Sequence, residues 1–158
     1  MHIYFLRHGD ASSESRYPDG DRPLTDLGKQ QAERIGVFLH RMNILIDAAL
    51  SSPLKRAQET ASLALSLMKH PKISSSEYLL NGTRPQLLLD QLNQSTASSV
   101  LLIGHEPFLS ESISLLIGGN KNEEIEMKKC SLALVDISIP IRPGTGRLKY
   151  LIPVETLT

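Results

Sequence analysis

The chain has 158 residues, 17 Lys+Arg against 17 Asp+Glu, and a formal net charge of zero, with 41% hydrophobic and 22% charged residues. This is the composition of one ordinary globular domain, 1–158, long enough to bury roughly two-thirds of the surface its unfolded chain exposes. Balanced charge, 4% aromatics and no Trp lack the basic, stacking-rich signature of a nucleic-acid binder and offer nothing to an anionic membrane.

Residues 2–6, HIYFL, are β-branched and aromatic and read as a buried strand. The polar run 11–23, with Pro18-Asp19-Gly20 as a turn, reads as a long loop. Thr25 is expected to cap a helix whose apolar stripe is Leu27, Ile35, Phe38, Leu39 and Met42. A second strand is expected over 44–50. A helix then follows with Ser52 as N-cap and Pro53 at its first position, buried along Ala57, Thr60, Ala61, Ala64 and Met68 and ended by His70-Pro71. Residues 72–79 read as a weak strand, 81–85 as a turn and 84–94 as a short helix. The run SVLLIG, 99–104, is a strand of the kind buried on both faces of a parallel sheet. His105-Glu106-Pro107 leads into a helix that Gly118-Gly119 breaks, and 121–129 is expected to be charged and exposed. Residues 130–139 and 147–154 read as two closing strands. The alternation predicts a single three-layer α/β domain: a mostly parallel central sheet, helices on both faces, and an antiparallel C-terminal strand pair at or near an edge. Cys130 is the only cysteine, so no intramolecular disulfide forms. No signal peptide and no apolar run long enough to span a bilayer are visible, and a cytoplasmic location is expected.

In such a sheet, ligands bind beyond the carboxyl ends of the strands. Arg7 and His8 end the first strand. Arg56 stands in the first turn of the helix after the second strand, and its side chain leans back toward the strand ends. His105 follows SVLLIG. Three strand ends thus bring two arginines and two histidines to one rim, with no carboxylate in the innermost set. Guanidinium forks bind phosphate oxygens bidentately and stay charged at any relevant pH. Helix N-termini beside Arg56 and His105 add amide donors. One imidazole, held neutral by the flanking cations, would attack phosphorus in line, and water would open the N-phosphorylated intermediate.

The motifs LRHGDA, DRPLTDLG, SSPLKRAQET and LLIGHEP resemble, in order, those of the histidine phosphatase superfamily, and most of all its short SixA-type phosphohistidine phosphatases. The resemblance implies His8 as the phosphorylated nucleophile and Arg7, Arg56 and His105 as its phosphate-binding shell. It also implies no metal and no cofactor. Larger members carry a Glu general acid after their third strand, where this chain has Leu80-Asn81. Glu77 just before, Asp10 after R-H-G and Asp21 in the loop remain candidate acids. A missing acid suits a phosphoramidate, because imidazole leaves far more readily than an alkoxide. A short chain with little sequence for a lid suits phosphohistidine displayed on a histidine-phosphotransfer protein.

Gly9 is expected to permit close packing at the strand end, and its amide could face the site. Arg22 could touch phosphate or anchor the loop. His2, His40 and His70 read as structural or exposed, Cys130 as a small core residue, and Lys128-Lys129 as a solvated edge with substrate docking as the alternative. Three functions compete: a phosphohistidine phosphatase, a phosphatase of small phosphorylated metabolites, and a phosphate-binding module without turnover. A metal hydrolase built on His8, Asp10 and His105 is a remote fourth.

Overall fold

The computed structural model describes residues 1–69, 72–120 and 125–157. The helix end expected at His70-Pro71 and the 121–124 part of the charged run lie outside them. Among the described residues the strands are β1 (His2–Arg7), β2 (Ala48–Ser51), β3 (Ile73–Ser75), β4 (Ser99–Gly104), β5 (Leu132–Asp136) and β6 (Arg147–Ile152), and the helices are α1 (Asp26–Arg41), α2 (Lys55–Ala64), α3 (Pro85–Asn93) and α4 (Phe108–Gly118). They form one six-stranded sheet in the order β3-β2-β4-β1-β5-β6. The first four are mutually parallel, β5 runs antiparallel to β1, and β6 runs antiparallel to β5 at the edge.

Side chains alternate across a strand, and here both faces are apolar. Ile3 and Phe5 of β1 with Val100 and Leu102 of β4 pack against Leu88, Leu89 and Leu92 of α3 and Phe108, Ile113 and Leu116 of α4. Tyr4 and Leu6 with Leu101 and Ile103 pack on the other face against Ala32, Ile35 and Leu39 of α1 and Ala57, Ala61 and Ala64 of α2. This is the expected three-layer arrangement.

Several boundaries differ from expectation. β2 starts at Ala48 and β3 has only three residues before a 3-10 turn, Glu77–Leu79. α2 begins at Lys55, with Leu54 rather than Ser52 at the N-cap position, and ends at Ala64, so Met68 lies beyond it. Thr25 does cap α1: its hydroxyl accepts from Gly28 N at 3.1 Å. The buried face of α1 is rotated from the expected stripe. Leu27 is 56% exposed and Met42 is 61% exposed, while Gly28, Gln31 and Gly36 are buried. The cause is close approach: the end of β1 sits on the first turn of α1, where only small side chains fit. A Cβ on Gly28 would lie 2.0 Å from the carbonyl oxygen of Asp10. The expected exposed charged run also fails at Met127, which is fully buried.

Candidate active site

The carboxyl ends of β2, β4 and β1 are neighbours, and they carry the predicted cluster. The pairing continues past the strands: His8 N donates to Gly104 O at 3.1 Å and Ser52 N to Ile103 O at 2.9 Å. The His8 and His105 rings therefore face each other, centroids 5.1 Å apart at 53°. Both rings are buried, as is Arg56. His8 Nδ1 lies 2.7 Å from Gly9 O, which can only accept, so Nδ1 carries the proton and Nε2 keeps its lone pair.

Each arginine is aimed by a backbone carbonyl. Arg7 Nη1 donates to Met127 O at 2.8 Å. Arg56 Nη1 donates to Asp19 O at 2.7 Å, and its Nη2 lies 3.3 Å from the Asp19 carboxylate. Arg7 Nε, Arg56 Nε and His105 Nδ1 are buried without a hydrogen-bond partner. Buried polar atoms in folded proteins are almost always paired, and when left unpaired they cost about 1–3 kcal/mol each. Three side chains of this rim, from three elements, each keep one such atom.

Burial is the main cause of the histidines' electrostatic state. It pushes His8 down to about 3, against the hydrogen bond to Gly9 that favours the charged ring, and His105, Arg56 and Arg7 push it further down. His105 is lowered to about 4, again by burial first, then by Arg56 and Arg7, with Asp19 opposing. The flanking cations, expected to hold the ring neutral, are the smaller cause. Both rings are neutral at pH 7.

The other predicted residues divide. Gly9 packs as expected, since a Cβ there would lie 2.7 Å from Gly28 O. Its amide does not face the cluster but donates to Thr60 Oγ1 at 3.0 Å, and Thr60 in turn donates to Arg56 O at 2.7 Å. Arg22 anchors the loop: Nε donates to Ser12 O at 2.6 Å and Nη1 to the Asp19 carboxylate at 3.2 Å. Asp10 is bonded by Lys129 and by Thr25 Oγ1, the latter at 2.7 Å. Those hydrogen bonds, with Lys129 first, hold its carboxyl below the usual range. At neutral pH it therefore accepts protons poorly and has none to give. Glu77 is exposed on the 3-10 turn after β3, and its carbonyl accepts from Leu80 N at 3.1 Å and Thr83 Oγ1 at 3.4 Å. Asn81, near the place of the expected acid, instead bridges to α4: Nδ2 donates to Glu106 O at 2.8 Å and Oδ1 accepts from Phe108 N at 3.3 Å. Among the described residues, no group of three or more His, Cys, Asp or Glu side chains is gathered as a metal site.

Five contributors were not legible. Asp19 brings a carboxylate to Arg56 from a turn whose composition marks only a bend. Met127 and Lys129 belong to a run that reads as solvated. Glu106 is raised by burial, and its carboxylate accepts from Ser110 N at 3.1 Å in the first turn of α4. Ser52 Oγ lies 2.7 Å from His105 Nε2. A Ser before Pro signals a cap, and nothing local signals a histidine 53 residues away.

Residues 3–79 match the sequence model of the histidine phosphatase superfamily (branch 1). The phosphohistidine phosphatase SixA of Escherichia coli is 29% identical over 125 residues, 75% of this chain and 76% of that protein. A structure of the protein histidine phosphatase SixA complexed with tungstate superposes with a TM-score of 0.90 over all of both chains at 23% identity. An alpha-ribazole phosphatase from Shigella flexneri superposes at 0.81 with 19% identity, over 98% of this chain and 97% of that one. With the R-H-G strand end, Arg56 and His105 assembled on this sheet, the chain resembles the histidine phosphatase superfamily in its first 79 residues and in its fold.

Proposed function

We propose that the chain is a phosphohistidine phosphatase that works through a phosphorylated His8. The observation that carries this reading is the trio of buried, unpartnered nitrogens, Arg7 Nε, Arg56 Nε and His105 Nδ1, in the cluster that holds a neutral His8 whose Nε2 keeps its lone pair. Two guanidiniums and a donor ring match the three equatorial oxygens of a phosphoryl group in flight.

In the first step the His8 Nε2 lone pair forms a bond to phosphorus while the substrate P–N bond breaks. The substrate reacts with its ring protonated on the other nitrogen, so the departing imidazole keeps the P–N electron pair and leaves neutral. In the second step water attacks phosphorus, the P–Nε2 bond breaks back to His8, and inorganic phosphate leaves. The Gly9 carbonyl compensates the charge that develops on the His8 ring during phosphorylation, because it accepts from Nδ1–H. Neither step needs a strong general acid. This agrees with Asp10 held ionised and Asn81 tied to α4. The likeness to proteins named phosphohistidine phosphatase and protein histidine phosphatase favours a protein-borne phosphohistidine, and with it we propose a role in signal transduction. The proposed setting is cytoplasmic; no described helix is long and apolar enough to cross a membrane.

The alpha-ribazole phosphatase likeness favours the second reading, a phosphatase of small metabolites with the same steps. Rates on a phosphorylated histidine-phosphotransfer protein, sugar phosphates and nucleotides separate the two. A preference of about 10²–10⁴-fold for P–N over unactivated P–O substrates is expected, the usual worth of a general acid. Equal rates would put the metabolite reading first, and no turnover with retained phosphate binding would leave a binding module.

A further inference from the structure

We infer that Ser52 is a positioning residue that fixes the proton of His105 on Nδ1, so that His105 faces the phosphoryl group as a donor. This inference rests on the phosphatase reading above. Ser52 is fully buried at the end of β2, and its hydroxyl has two described neighbours. Leu54 N donates to Oγ at 3.3 Å, and His105 Nε2 lies 2.7 Å away. A hydroxyl has one proton to give. Leu54 N–H can only donate, so the hydroxyl proton is left for His105 Nε2. That ring nitrogen must then be the acceptor, and in a neutral imidazole the proton sits on Nδ1. The reverse assignment would give Oγ two donors and leave its own proton buried without an acceptor. It would also leave a bare lone pair at Nδ1, buried without a partner on the ring that faces His8.

The two facing rings then carry the same tautomer but are turned end for end. His8 gives its Nδ1 proton to Gly9 O and keeps the Nε2 lone pair for phosphorus. His105 receives the Ser52 proton at Nε2 and keeps Nδ1–H for a phosphoryl oxygen. Nucleophile and oxyanion donor are thus distinguished by a main-chain carbonyl on one ring and a hydroxyl on the other. Ser52 N donates to Ile103 O at 2.9 Å, which seats Ser52 along β4, where His105 follows.

The test is the ring-nitrogen NMR spectrum of the ¹⁵N-labelled full chain. In the resting protein, His105 is expected to show a pyrrole-type Nδ1 and a pyridine-type Nε2. Ser52→Ala should shift His105 toward the Nε2-protonated form while His8 keeps its pattern, and should lower kcat/KM about tenfold; Ser52→Thr, which retains the hydroxyl, should restore both. A pyridine-type Nδ1 in wild-type His105, or an unchanged His105 pattern in Ser52→Ala, would overturn the assignment. The spectrum needs no turnover. An inactive wild-type protein would count against the phosphatase reading, and a pyrrole-type Nδ1 in the same sample would still support the role given to Ser52.

Discussion

Two neutral histidines buried beside two arginines make the native state sensitive to acid. An unfolded histidine titrates near 6.5, whereas His8 in the folded protein is lowered to about 3. Below pH 6.5 the unfolded chain therefore binds a proton that the native chain refuses. Stability is full above that pH and falls as pH drops toward the folded value, at about 1.4 kcal/mol per pH unit for each such group. Between pH 7 and pH 5, His8 alone should cost about 2 kcal/mol. His105, lowered to about 4, adds a similar loss. The perturbation is His8→Gln, which removes one titrating ring. Urea unfolding of wild type and variant at pH 7 and pH 5 isolates the term, since other titrating groups are common to both. The wild type should lose about 2 kcal/mol more than the variant over this interval. Inorganic phosphate should narrow the wild-type loss, because a bound anion favours the charged rings. Equal losses in the two proteins would refute the assignment of His8 as a buried neutral ring.

Gly28→Ala should destabilise the fold by about 1–3 kcal/mol and reduce turnover, because its Cβ would meet Asp10 O, a backbone atom unable to swing aside; unchanged urea stability would contradict this packing. Lys129→Met should lower kcat/KM only severalfold, since a partly exposed pair is worth about 1 kcal/mol or less, and should let the Asp10 carboxyl rise toward its ordinary range by NMR titration. A loss of more than a hundredfold would mean that the Lys129–Asp10 pair takes a direct part in the chemistry.

The sequence carried what is local or periodic. Strand alternation gave the sheet, and residue type at three strand ends gave His8, Arg7, Arg56 and His105 a common rim. Thr25 as a cap was legible because capping needs only neighbours in the chain. Departures arise where long-range contacts override local signals. Gln31 is buried on α1 because its side-chain oxygen accepts from Asp10 N at 2.9 Å, while Leu27 is left exposed. Met127 is buried within a charged run because its side chain packs into the core, and its carbonyl accepts from Arg7, 120 residues away. Asp19 and Ser52 look like turn and cap residues, and their site contacts depend on tertiary closure. The order in which β4 inserts between β1 and β2 is likewise set by non-local pairing.

The central claim is that His8 becomes phosphorylated at Nε2. Rapid acid-free quenching during turnover of a ³²P-labelled phosphohistidine protein, followed by peptide mapping and ³¹P NMR, tests it directly. The account predicts label on the peptide bearing His8, with the chemical shift of an Nε2-linked phosphoramidate, and none in His8→Ala. Label on another residue, or wild-type turnover in His8→Ala, would contradict it.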